Sequence, residues 1–186
     1  MKKDFEKLIS NYSGGDLDLS GCTMKKLELD HVEGSLNISK CTIDKLSIGW
    51  VSGSLNMSGS EIKNIERPID AQSVDMSGAK IKKLPAHVWT ESLNMEKSSV
   101  LLKSNSDIKT NYLNIRSSKI DQLPKDLRVS KLVVDTKTAK SLPLSSLRQC
   151  EEIQIDGVTY SQHHSEEYNF CSSVSSECES ECMCSV

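Results

Sequence analysis

Aromatic residues supply only 4% of this chain of 186 residues, too few to build a stacking platform for nucleic-acid bases. An excess of one charge is missing as well. Lys and Arg number 23 against 26 Asp and Glu, so no field points to nucleic acid or to an anionic membrane. No apolar run reaches the ~18 residues that a bilayer-crossing helix needs. The opening MKKDFEKLIS has two lysines followed by acids and no apolar stretch, unlike a secretory leader. A cytoplasmic location is therefore expected. Asn11-Tyr12-Ser13, Asn37-Ile38-Ser39 and Asn56-Met57-Ser58 match the glycosylation pattern only as by-products of a repeat. Phosphate loops, Rossmann glycine patterns, paired-His metal helices and nucleophile elbows do not occur. His31 and His87 stand alone on outer segments and read as surface residues. No catalytic residue, metal site or cofactor is expected.

What the chain does contain is one apolar–polar–apolar motif written eight times: Leu17-Asp18-Leu19, Leu36-Asn37-Ile38, Leu55-Asn56-Met57, Val74-Asp75-Met76, Leu93-Asn94-Met95, Leu113-Asn114-Ile115, Leu132-Val133-Val134 and Ile153-Gln154-Ile155. Their first residues (17, 36, 55, 74, 93, 113, 132, 153) are 19, 19, 19, 19, 20, 19 and 21 apart. A fixed period of this size over most of a chain predicts a repeat solenoid, each coil stacked on the last. Alternation of apolar and polar residues makes each motif a short strand with one face buried. Past Ser58-Gly59 the apolar residues return at Ile62, Ile65 and Ile69, three and four apart. Leu84-Pro85 and Leu123-Pro124 forbid a continued helix there, because proline fixes φ and has no amide donor. The outer face is expected to be irregular, extended or 3₁₀, opposite a parallel sheet.

The frame L-x-L-x-x-(N/C/S)-x-I-x-x-L-P-x-x-L, carried by SLNMSGSEIKNI and SVDMSGAKIKKLP, resembles a leucine-rich repeat. It is most similar to the short repeats of bacterial type III-secreted effectors and to bacterial and phage strings such as GSLNLSGTxIxxLP. The likeness covers roughly Asp16 to Gly157. No separate catalytic domain accompanies the repeats, so the ligase activity of some effectors is not carried over. The resemblance implies a ladder of small residues that cap backbone groups inside the turn, here Cys22, Cys41, Ser60, Ala79, Ser98 and Ser118. Cys22 and Cys41 are read as small buried side chains rather than as a thiol or metal pair.

A stack of coils exposes an apolar cross-section at each end and needs caps. Residues 1–15 are assigned as an N-terminal helical cap, with Phe5, Leu8 and Ile9 on one side of a helix from Asp4 to Ser10. Residues 16–160 form the solenoid of about eight coils, in which Leu142, Leu144 and Leu147 still fit the frame. Residues 161–186 are Ser-, Glu- and Cys-rich and too polar to bury a core. Cys171, Cys178, Cys182 and Cys184 lack zinc-ribbon spacing. They leave open a metal site with His163 or His164, reversible lipidation with weak membrane association, or a solvated tail. Glu177, Glu179 and Glu181 would raise their thiol pKa values.

The polar residues flanking each strand face outward, since alternate residues point to opposite sides. Four coils show small Ser and Asn or Asp ladders, from Ser35-Asn37-Ser39 to Ser92-Asn94. Then Glu96, Tyr112, Arg116, Lys131, Val133 and Asp135 follow. Tyr and Arg are enriched at interface hot spots, so Glu96, Tyr112, Arg116, Lys131 and Asp135 are the candidate partner-binding residues on an expected concave face. Trp50 and Trp89, in equivalent outer positions, read as packing residues. These observations predict a non-catalytic protein–protein interaction module, plausibly bacterial or phage in origin. A secreted effector acting in a host cytosol through a lipid-modified tail, and a metal-handling or enzymatic protein using the Cys/His tail, are the alternatives.

Overall fold

The computed structural model describes residues 5–102, 106–120, 123–125, 127–143, 147–148 and 150–161. The eight motif strands stack in one parallel sheet, with Leu17, Leu36, Leu55, Val74, Leu93, Leu113, Leu132 and Ile153 each registered on the next. All eight are buried, none more than 6% exposed. The second apolar residue of each motif makes a parallel inner row from Leu19 through Ile38, Met57, Met76, Met95 and Ile115 to Val134 and Ile155. A one-residue slip would turn both rows to solvent, which is why the register holds.

The outer part of the coil takes the extended form among the three expected, irregular, extended or 3₁₀. Strands run over Thr23–Val32, Thr42–Asn56, Glu61–Ile65 and Ile69–Asp75, and shorter ones follow at Lys80–Ile81, His87–Trp89 and Ser99–Val100. They stack as two further parallel faces. On one, Met24, Ile43, Ile62, Ile81 and Val100 are in register. On the other, Ile69, Val88 and Ile108 align, as do Val32, Val51 and Ala71. The three-residue spacing of Leu27 from Met24, and of Ile65 from Ile62, is therefore no helical period. It marks a strand bending at a corner, where two successive side chains such as Lys25 and Lys26, or Asp30 and His31, both point outward. The solenoid thus has sheet on three sides, with its apolar strip between them. Pro85 and Pro124 lie in segments with neither strand nor helix, as proline's missing donor requires.

The first six of the eight motif strands end in a turn with a left-handed residue at one station. Gly21, Gly59 and Gly78 take φ of 74°, 64° and 64°, and Lys40, Lys97 and Ser117 take 55°, 56° and 56° at the same station. Beside it runs the small-residue ladder. The Cys41 amide donates to Ser60 Oγ (3.0 Å), which donates to Ile38 O (2.7 Å). The Cys22 amide likewise donates to Cys41 Sγ (3.2 Å), and the two sulfurs lie 2.9 Å apart. That shared hydrogen bond pushes the Cys22 thiol pKa up and draws that of Cys41 down. Ser98, two coils beyond Ser60, has a buried Oγ with no partner among the described residues.

The N-terminal helix forms over Phe5–Ser10. Phe5 and Ile9 pack on the apolar strip, but Leu8 is 41% exposed, so the expected three-residue face is reduced to two. A helix not expected from the pattern covers Thr136–Ser141. At the far end Val158–Ser161 pairs antiparallel with Glu152–Ile155. Leu142 and Leu147 are buried as the frame requires, whereas Leu144 lies outside the described residues. So do His163, His164, Cys171, Cys178, Cys182 and Cys184. No helix among the described residues is long and apolar enough to cross a membrane.

Candidate binding groove

Regular coils make regular outward rows, and the early rows are self-satisfied. Ser73 Oγ donates to Ser54 Oγ (2.7 Å), Asn37 Nδ2 to Asp18 Oδ1 (3.0 Å), and Asn94 Nδ2 to Asp75 Oδ1 (3.1 Å). The rows then change character. Ser92 is registered on Tyr112, Tyr112 on Lys131, and Lys131 on Glu152, with the lysine 2.5 Å from that glutamate. In the neighbouring row Arg116 Nη2 lies 3.3 Å from Glu96 Oε2. Lys97, at 3.0 Å, is the main cause holding the Glu96 carboxyl below its ordinary range, and Arg116 adds to it.

The structure therefore brings Tyr112 and Lys131 together in one row, and Glu96 and Arg116 together in the next. Asp135 has a different task. Its carboxylate caps the helix Thr136–Ser141, accepting from the Thr138 amide (2.8 Å) and from the amide and hydroxyl of Ser117. Burial opposes its charge, but these donors outweigh burial and keep its carboxyl below the usual value. Asn114 and Val133, expected on the open face, are buried. Arg116 Nε donates to Asn114 Oδ1 at 3.3 Å and so lies over that amide.

Sequence reasoning missed the corner beside these rows. A groove of about 610 Å³ runs across four coils, lined by Trp89 to Glu91, Lys109 to Asn111, Leu127 to Ser130, and Glu151. Its walls end where Tyr112 and Lys131 begin. Trp89 was expected to pack, yet it is 40% exposed, and Trp50 is 48% exposed. Lys109 Nζ stands 5.4 Å over the Trp89 ring and 3.5 Å from Asp107 Oδ2. That carboxylate also meets His87 Nδ1 (3.3 Å) and the Trp89 Nε1 donor (3.5 Å). Burial acts against its charge, and His87, Trp89 and Lys109 together override burial to lower its pKa. Arg128 is exposed and makes no ion pair among the described residues. The signal that could have revealed this groove was present: Trp89-Thr90-Glu91, Lys109-Thr110-Asn111 and Arg128-Val129-Ser130 occupy one station on successive coils.

Coils in parallel register around an apolar strip, with self-paired polar rows and an open groove, define a β-solenoid scaffold. The chain belongs to the Toastrack DUF4097 family, whose description matches residues 2–141. No curated protein and no solved structure matches it. The repeat solenoid expected from the period stands. The leucine-rich-repeat and effector likeness remains a resemblance of local pattern, since the family matched is a different one.

Proposed function

We propose that this protein is a non-catalytic interaction module that holds a protein partner along the groove and its Tyr112–Lys131 rim. The observation that carries the reading is the groove itself. It is long enough to follow four coils, and its lining mixes an indole, Lys109, Arg128 and the carboxylates of Glu91 and Glu151. An aromatic anchor next to a forked guanidinium donor is the composition in which binding energy concentrates. Glu96 and Arg116 form the polar rim beyond Tyr112. Asp135, committed to its helix, contributes by shaping that rim rather than by contact.

The test is affinity capture with the intact chain, followed by the Tyr112→Ala/Arg128→Ala double variant. Capture of one defined protein should fall about 30-fold or more, corresponding to about 2 kcal/mol. The control is Asn37→Ala/Asn56→Ala on the plain ladder, which should leave capture intact. Loss in the control with no effect in the groove variant places the interface elsewhere and refutes the proposal.

A further inference from the structure

One row of the third face has a composition unlike any other. Register places His31 beside Trp50, Asp70 beside Trp89, Trp89 beside Lys109 and Lys109 beside Arg128. Val51 is paired with Ala71, which sets Trp50 next to Asp70 and completes the row His31–Trp50–Asp70–Trp89–Lys109–Arg128. The ring planes face along it. His31 stacks on Trp50 with centroids 5.6 Å apart and planes inclined by 15°. Lys109 sits over the face of Trp89 on the opposite side. Each indole thus has one face covered by a row neighbour, Trp89 also meets the tilted His87 ring at 5.6 Å, and Asp70 stands between the two indoles in the row.

The slot between them has a definite size and charge. Two steps of a parallel sheet set the backbone stations of the two tryptophans about 9.6 Å apart. Its floor is the exposed Asp70 carboxylate, which makes no ion pair or hydrogen bond among the described residues. Arg67, the cation nearest along the chain, lies beside Gly49 and is engaged by Asp30 at 3.4 Å. Two π faces and an unneutralised carboxylate are complementary to positive charge. A cation centred in the slot would lie about 5 Å from each ring, inside the ~6 Å reach of cation–π attraction. Shape narrows the choice. A planar guanidinium stacked at about 3.5 Å from one indole would leave about 6 Å to the other. A tetrahedral alkylammonium carries its methyl groups outward from nitrogen and touches both faces at once.

We propose that Trp50, Asp70 and Trp89 form a binding site for a small organic cation bearing a trimethylammonium head, of the choline type. The site is separate from the partner groove: it uses the opposite face of Trp89 and needs neither Tyr112 nor Arg128.

The chain's 2 tryptophans are the two walls, so intrinsic fluorescence reads this slot, and Trp50, absent from the groove lining, separates its signal from that of the partner groove. Titration with choline or tetramethylammonium chloride should give a saturable change, with sodium chloride at equal ionic strength giving none. The neutral isostere 3,3-dimethylbutanol should bind at least tenfold more weakly. Asp70→Asn should weaken the cation at least fivefold and leave the alcohol unchanged. Trp50→Ala should abolish saturation of the remaining Trp89 signal, and because Trp50 is nearly half exposed its melting temperature should stay close to the parent's. If Trp50→Ala fails to fold, Asp70→Asn, altered only at an exposed carboxylate, decides the matter by itself. Equal affinity for alcohol and cation, unchanged cation binding in Asp70→Asn, or no saturable response to either cation overturns the proposal.

Discussion

Two serines at the same station of the coil should respond in opposite ways to the same deletion. Ser60 and Ser98 both belong to the small-residue ladder, and both are 1% exposed. Ser60 Oγ takes the Cys41 amide at 3.0 Å and gives its proton to Ile38 O at 2.7 Å. In Ser60→Ala both backbone groups lose that partner inside the stack, where each unmet group costs about 1–3 kcal/mol. A net loss of about 2–4 kcal/mol is expected. Ser98 has no such amide below it, because the Ala79 N–H donates to Met76 O at 3.0 Å instead. Its hydroxyl is buried and unpaired, so Ser98→Ala removes a desolvation penalty and should range from neutral to about 1 kcal/mol stabilising. Urea unfolding followed by tryptophan fluorescence measures both. With a slope of about 2 kcal/mol per M, the Ser60→Ala midpoint should fall by about 1–2 M while that of Ser98→Ala holds or rises. Equal destabilisation by both deletions would refute the ladder as the source of the effect and leave simple packing as its cause.

Two further outcomes test the core and the rim. Leu55, 2% exposed within the motif row, should lose about 2–5 kcal/mol as Leu55→Ala through transfer and cavity effects, whereas Leu101→Ala, at a side chain 54% exposed, should cost less than about 0.5 kcal/mol; similar losses at the two sites would mean that the row is not packed. The Asp135 carboxyl is depressed in the fold, so its stabilisation is complete above the unfolded carboxylate value of ~3.9 and is lost as pH falls through the lower folded value. The melting temperatures of the parent and Asp135→Asn, which keeps a capping side chain, should therefore differ at pH 7 and converge below about pH 4; a gap that persists at low pH would show that the charge is not responsible.

The stacking of this fold was legible because a period near 19 leaves few choices. Leu36, Leu55 and Val74 had to coincide once each coil was one turn, and they do. The outer face was harder to read. The spacing of Ile62 and Ile65 suits either a helical turn or a strand folded around a corner, and only the lateral partners Ile43 and Ile81 decide for the strand. The candidate site was half visible. Tyr112 and Lys131 break a monotonous row and so stand out, but Asp135 looks like a surface acid until the helix it caps is seen. The groove lies beside these rows, at a station that repeats as Trp89, Lys109 and Arg128 on successive coils but carries no apolar–polar–apolar motif to draw attention to it.

The antiparallel pairing of Val158–Ser161 on Glu152–Ile155 has a consequence for how this molecule meets copies of itself. A parallel in-register edge is a template that any further coil of the same kind could extend, including one from another chain. A returning strand reverses the polarity of that edge, so its free donors and acceptors no longer match an incoming parallel coil. Among the described residues the parallel stack thus meets a reversed strand at this edge, as a ruler's markings meet a different scale.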